Sequence, residues 1–457
     1  MEPMPSLSAL RCVACGAGGL QPAGDLLDCP GCGRAYPVVA DVPVMFADAY
    51  PARGPLLEPA VVRTVLQAMD LPADTGNMLR VRRASGARAS YGGRQAAAGG
   101  AQFLRLVHAS GHPVPAALLG SPAAAMPDPP AGGEQRCRWV ADYVPRALPP
   151  GHSFLANVRF ENAGDAPMRH AGPGRVAIAF AWLNAAGDPE PGEDFRTPLP
   201  LDLPPGQALT LPVRIVAPAA PGRYGLLLRM VQEGVRWLEP DHGPLRVTVR
   251  PGAGFVPPPH WDVNANATGD RLADHGQGAA RLRGWLQRLP PGPGLRLLEV
   301  GGNAKPALSQ LPGEAYNVDI DLMALQVGCV AGRARGNLVR GVCADAFRLP
   351  FADGFFDAIV MFATLHQMPD PAALLRSLRA HLRPGGFIGV LCEPVGQAWP
   401  GATPEAMVEA WRHGVNEQGF SLEEYAQMFR AAGLEAADLA LDHDSLKARL
   451  VPERCDA

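Results

Sequence analysis

Apolar and polar positions alternate with a period of two through residues 137–250. Phe154, Ala156, Val158 and Phe160 alternate with Ser153, Leu155, Asn157 and Arg159, and Val176, Ile178, Phe180 and Trp182 alternate with small alanines. Leu209, Leu211, Val213 and Ile215 repeat the pattern, as do Tyr224, Leu226, Leu228 and Met230. Runs of this kind form half-buried strands. Turn-forming stretches separate them at Asn162–Asp165, Asn184–Asp188, Leu203–Gly206 and Ala220–Gly222. The spacing predicts an immunoglobulin-like β-sandwich.

A different pattern governs residues 258–457. The apolar strand Leu297-Leu298-Glu299-Val300 runs into Gly301-Gly302-Asn303, and an acidic residue ends the next strand in Asn317-Val318-Asp319-Ile320. This is how a doubly wound (Rossmann-like) α/β sheet holds a nucleoside-containing cofactor. A third acidic strand end follows in Cys343-Ala344-Asp345-Ala346-Phe347. Ahead of the sandwich, residues 51–133 form a partly helical segment and linker. Val61, Val62, Val65, Leu66 and Met69 share a helical face, and Pro and Gly crowd residues 111–133. Arg80, Arg82, Arg83, Arg88 and Arg94, with only Tyr91 interleaved, read as a solvated face or as an RNA contact.

Residues 1–47 carry two knuckles, Cys12-Val-Ala-Cys15 and Cys29-Pro-Gly-Cys32, separated by 13 residues and each followed by glycine. That spacing is a four-thiolate zinc ribbon, with Zn2+ held structurally by Cys12, Cys15, Cys29 and Cys32. So small a unit needs the metal to fold, and its core is expected to be separate from the rest. A redox dithiol would need an adjoining βαβ unit that these residues lack. Cys137, Cys329, Cys343, Cys392 and Cys455 show no ligand spacing and read as incidental thiols.

At 457 residues the chain exceeds one ordinary core. A net charge of −3 gives no electrostatic reason to expect nucleic acid as a partner. The 52 Gly and 49 Pro accompany abundant Ala and Arg, so proline-rich patches are weaker loop signals here than usual. Neither a secretory leader nor an apolar run of membrane-spanning length is seen, and the expected location is cytoplasmic.

Further runs at Phe355–Phe362 and Leu382-Arg383-Pro384-Gly385-Gly386-Phe387 complete an ordered set over roughly 258–440. The set resembles class I S-adenosylmethionine (SAM) methyltransferases, in particular the branch that methylates small molecules. The resemblance implies SAM as cofactor and assigns its contacts to Glu299, Gly301, Gly302, Asn303, Asp319, Ile320, Asp345, Ala346 and Phe362. Asp319 would take the ribose hydroxyls and Asp345 the adenine amino group, while Glu299 would lie beside the ammonium end. The glycines would let the backbone approach the methionine part, with N–H groups of the following helix start facing its carboxylate. Asn303 and Lys305 depart from the usual glycines. Asn tolerates a left-handed backbone, and Lys305 would point to solvent from the first helical turn.

Acceptors of doubly wound sheets meet the carboxyl ends of the strands, which directs attention to His366 and Glu393 as candidate bases. His366 could equally pack its loop, and His260-Trp261 could form a lid. The ribbon is similar to the zinc-binding activator subunit of tRNA methyltransferases, which implies a structural or docking part. The phrases at 196–200 and 232–237 resemble sandwich modules of bacterial surface-polysaccharide proteins. That likeness points to a sugar hydroxyl in a bacterial glycan pathway as acceptor, with Trp182, Tyr224 or Trp237 stacking on sugar or filling the core. The sandwich could equally be a spacer or a homodimer contact. Two other readings stay open: a catalytically silent polysaccharide-binding module, and a methyltransferase acting on RNA or a translation protein.

Overall fold

The computed structural model describes residues 7–24, 26–39, 41–46, 133–192, 195–253, 271–289, 294–303, 306–311, 314–320, 322, 324–325, 328–329, 339–412, 416–442 and 445–453. The helical segment expected within 51–132, its arginines, His260, Trp261, Lys305 and Cys455 lie outside them.

The N-terminal part forms four short strands, β1 (Gln21–Ala23), β2 (Leu26–Asp28), β3 (Ala35–Val39) and β4 (Val42–Met45). Nine more follow: β5 (Cys137–Asp142), β6 (Ala147–Leu148), β7 (Ser153–Asn162), β8 (Val176–Leu183), β9 (Thr197–Pro198), β10 (Ala208–Val216), β11 (Gly222–Gln232), β12 (Arg236–Leu238) and β13 (Leu245–Val249). They build two sheets, ordered β10-β7-β5 and β6-β13-β11-β8-β9, with β12 paired to β11. Phe154, Val158 and Phe160 from the first sheet and Ile178, Leu226 and Leu228 from the second share one apolar core.

The C-terminal part begins with α1 (Arg271–Leu286) and β14 (Arg296–Val300), followed by β15 (Glu314–Asp319), β16 (Val339–Ala344) and β17 (Phe356–Phe362). Then come α2 (Pro371–Ala380), β18 (Leu382–Pro394), α3 (Glu405–Arg412), α4 (Leu422–Ala431), β19 (Leu434–Asp442) and β20 (Ser445–Pro452). Strands β16-β15-β14-β17-β18 are parallel, and β20 enters antiparallel between β18 and β19. Parallel strands covered on both faces read as continuous apolar runs, as Ala358–Phe362 and Phe387–Leu391 do. Strand order reverses between β14 and β17, and this switch point opens the crevice in which such sheets bind ligands. Helix α2 starts at Asp370, whose carboxylate accepts from the Ala373 amide, with Pro371 in the first turn. Helix α4 starts with a capping box between Ser421 and Glu424.

The expectation of a separate ribbon core is corrected by the structure. Strand β4 pairs in parallel with β16, Val44 opposite Cys343 and Met45 opposite Ala344, so the sheet runs to eleven strands. Leu10 bridges Phe351, and the Arg11 amide donates to the Pro350 carbonyl at 2.9 Å. Leu10, Leu27, Tyr36 and Met45 share a core with Tyr316, Val318 and Phe351. The reason lies in the apolar face of Val42-Pro43-Val44-Met45, every residue of which is buried.

The sandwich strands carry a second surprise. On the period-two pattern Asn157 and Arg159 would face outward to water, yet they are only 1% and 3% exposed. Residues 416–424 of the C-terminal part lie over them. Ala398, Met407, Val408 and Trp411 of that part join the core between the two sheets.

Candidate cofactor and acceptor site

Four pieces converge at the carboxyl ends of β14, β15, β16 and β17. The first is the turn after β14. Gly301 has φ +74° and Asn303 has φ +51°, so the asparagine adopts the left-handed backbone that its residue type tolerates. A Cβ at Gly301 would lie 2.4 Å from Thr364 Cγ2, and one at Gly302 would lie 2.5 Å from Asn317 Oδ1. Neither position has room for a side chain.

Side chains of β15 hold this turn. The Asn317 amide group accepts from the Gly302 N–H at 3.1 Å and donates to the Asn303 carbonyl at 2.9 Å. Asp319 Oδ2 accepts from the Asn303 N–H at 3.1 Å. Asn317 belongs to the site although its only mark in the sequence is a polar residue between Tyr316 and Val318 in an apolar strand. Glu299 has a structural task beside the one the resemblance implies. Its carboxylate is buried and accepts from the amides of Ala307 and Leu308 at 3.0 and 2.9 Å. Those are the helix-start N–H groups expected to face a cofactor carboxylate.

Asp345 follows β16, half-buried, with Oδ1 accepting from the Phe347 amide at 2.9 Å. Burial pushes its carboxyl above the usual range, opposed by that hydrogen bond and by Arg348. Ala346 is buried beside it, and Ile320 is half-buried after Asp319. Phe362 ends β17 almost fully buried, its ring stacked 6.2 Å from that of His275 on α1.

The last piece is the turn after β17, where Ala363 has φ +46° and a 3-10 turn spans Leu365–Gln367. Glu393, at the end of β18, accepts from the amides of Thr364, Leu365 and His366 at 2.7, 2.7 and 3.0 Å. His366 directs Nδ1 to Glu393 at 2.7 Å and Nε2 to Glu417 at 3.3 Å. Burial by itself would lower the imidazole pKa, but the carboxylates of Glu417 and Glu393 outweigh it and hold the pKa at about 10. The two candidate bases are thus brought together as an ion pair. Asn416, Glu417 and Gln418, which also reach this turn, gave no signal in the sequence.

In the N-terminal part, the thiol sulfurs of Cys12, Cys15, Cys29 and Cys32 all lie within 4.8 Å of one another. The Gly16 and Gly33 amides close the two knuckles onto the Cys12 and Cys29 carbonyls at 2.7 and 2.9 Å. Sulfur separations of 3.6 Å (Cys12–Cys32) and 3.5 Å (Cys15–Cys29) are close to those around a tetrahedral ion with bonds of about 2.3 Å. Asp274, His275 and Cys392 also cluster, but the Lys447 ammonium lies 2.6 Å from Asp274 and already supplies a cation there.

Residues 298–390 match the family model described as a methyltransferase domain. With the switch point and acidic strand ends above, this part of the chain is a class I SAM-dependent methyltransferase domain. Among curated proteins, the chain is 34% identical over 167 residues to 27-O-demethylrifamycin SV methyltransferase of Amycolatopsis mediterranei, which covers 34% of this chain and 58% of that protein. It is 35% identical over 107 residues to the ubiquinone/menaquinone biosynthesis C-methyltransferase UbiE of Shewanella sp. (strain W3-18-1), covering 22% of this chain and 43% of that one. The chain therefore spans about half the length of these relatives. A solved structure similar to it is 1,6-didemethyltoxoflavin-N1-methyltransferase of Burkholderia thailandensis, at 19% identity and TM-score 0.32, covering 42% of this chain and 84% of that one. No helix among the described residues is long and apolar enough to cross a membrane.

Proposed function

We propose that this chain transfers a methyl group from SAM to a small-molecule acceptor. The observation that carries the reading is the grouping of the Gly301–Asn303 turn, Asp319 and Asp345 at one switch point. When bound, SAM would supply an electrophilic methyl group on a sulfonium. The fit is tested by the turn itself, whose Gly301 and Gly302 positions exclude a Cβ while Asn303 takes the left-handed backbone. Asp319 would hold the ribose hydroxyls and Asp345 the adenine amino group. Phe362 and Ile320 would wall the crevice.

In this reading His366 and Glu393 frame the turn after β17. An imidazolium paired with two carboxylates has no vacant basic nitrogen near neutral pH, which favours the loop-packing alternative for His366 over the proton acceptor. Methyl transfer is an in-line displacement, and alignment of acceptor and sulfonium supplies much of its acceleration. Zn2+ on the four thiolates would be structural, holding the ribbon that completes the sheet edge.

Within the small-molecule class we infer a hydroxyl acceptor, and a sugar hydroxyl first. The similar A. mediterranei protein is named as a methyltransferase of 27-O-demethylrifamycin SV, which supports an oxygen acceptor. The sugar rests on the likeness of the sandwich, here read as immunoglobulin-like, to polysaccharide-associated modules. Among the candidate aromatics Trp182 is buried, while Trp237 is 39% exposed with the Arg196 and Arg229 guanidiniums over its ring. Calorimetric titration with SAM tests the cofactor. Incubation with labelled SAM and a fractionated bacterial extract, followed by mass spectrometry, tests the acceptor. Label in a nucleic-acid or protein fraction alone would overturn the small-molecule reading.

A further inference from the structure

The surface between the sandwich sheet and the methyltransferase domain is a buried polar relay that ends on the turn after β17. Arg159 on β7 donates to Asn416 Oδ1 at 2.8 Å and to the Thr210 hydroxyl of β10 at 3.1 Å. Thr210 in turn donates to Gln418 Oε1. The two carboxamides then take up three successive backbone carbonyls. Asn416 donates to the Gln367 carbonyl at 2.9 Å, and Gln418 to those of His366 and Met368 at 2.8 and 2.7 Å. Arg159, Thr210, Asn416 and Gln418 are each at most 7% exposed.

Apolar contact alone would suffice to dock two domains. Buried polar groups cost free energy unless paired, and when paired they fix one geometry among many. Here the fixed geometry is that of residues 366–368, and Thr364 at the head of the same turn lies against Gly301. We propose that Arg159 and Thr210 are positioning residues for the cofactor and acceptor crevice, so that the sandwich forms part of the catalytic unit and is not a mere spacer. The inference rests on the methyltransferase reading of the crevice.

Thr210 is the place to test it, because valine keeps its shape and serine keeps its hydroxyl. In the full chain, Thr210→Val should weaken SAM binding at least threefold by calorimetry. It should also speed hydrogen exchange of the amides in 364–368 at least tenfold, with exchange in β1–β4 unchanged. Thr210→Ser should restore both to within twofold of the parent. Valine matching the parent in both measurements, or serine failing to rescue either, overturns the inference. A parent chain that does not bind SAM overturns the methyltransferase reading instead, and the exchange comparison then decides the positioning role alone.

Discussion

His366 and Glu393 are joined twice: the imidazole Nδ1 and the backbone N–H of His366 both reach Glu393 Oε2, at 2.7 and 3.0 Å. The carboxylate thereby fixes the turn and the ring that rides on it. The consequence can be read against pH. The folded pKa of His366, about 10, lies above its ordinary value of 6.5, so its stabilising contribution is complete below 6.5 and is lost as pH rises toward 10. The thermal midpoint should fall between pH 7 and 10, and His366→Gln should flatten that fall. Calorimetry showing the same slope in both proteins would remove the ion pair from the account. At neutral pH the substitution should cost about 3–5 kcal/mol, as removal of one partner of a buried pair does.

Asp319 binds the Asn303 amide at 3.1 Å and is the residue proposed to hold the ribose hydroxyls. Asp319→Ala should weaken SAM binding by about 1.5–3 kcal/mol, at least tenfold, because the bonds lost are charge-assisted. An unchanged titration curve for a folded variant would take Asp319 out of the site.

The Gly301–Asn303 turn separates steric from conformational demands. Gly302→Ala places a Cβ 2.5 Å from Asn317 Oδ1 and 3.0 Å from Glu299, and should cost about 1–3 kcal/mol of stability. Asn303→Val puts a β-branched residue at φ +51° and should cost about 1–2 kcal/mol, while Asn303→Gly should be nearly silent. Denaturant unfolding of the three variants checks the order.

Because β4 pairs with β16, which leads directly to Asp345, loss of the proposed zinc should be felt in the crevice. Cys29→Ser is expected to expose β1–β4 to protease and to weaken SAM binding several-fold. A ribbon that unfolds with no change in SAM affinity would show the β4–β16 pairing and the crevice to be independent. Metal analysis should give about one zinc per chain in the parent.

The acidic ends of successive strands were legible because a parallel sheet writes its strands as unbroken apolar runs, and Leu297–Val300 and Phe356–Phe362 are of that kind. The grouping of Cys12, Cys15, Cys29 and Cys32 was legible from spacing alone. What the pattern could not show was contact between parts far apart in sequence. Asn157 and Arg159 have the alternation of water-facing residues, and only the segment 416–424 lying over them reverses that meaning. Val42–Met45 likewise reads as a ribbon tail, whereas its partner strand lies at 339–344. Glu299 and His366 were legible as residues, but their partners were not, because the amides and carboxylates that engage them come from neighbouring turns.

The β4–β16 pairing also has a bearing on synthesis. Met45 leaves the ribosome about 300 residues ahead of Ala344, an interval of roughly 15–60 s at about 5–20 residues per second. During that interval the apolar edge of Val42, Val44 and Met45 has no strand to receive it, and an unpaired edge invites pairing with another chain. The nascent ribbon is thus the stretch at which shielding by a chaperone, or slow production at low temperature, should most improve the yield of soluble protein.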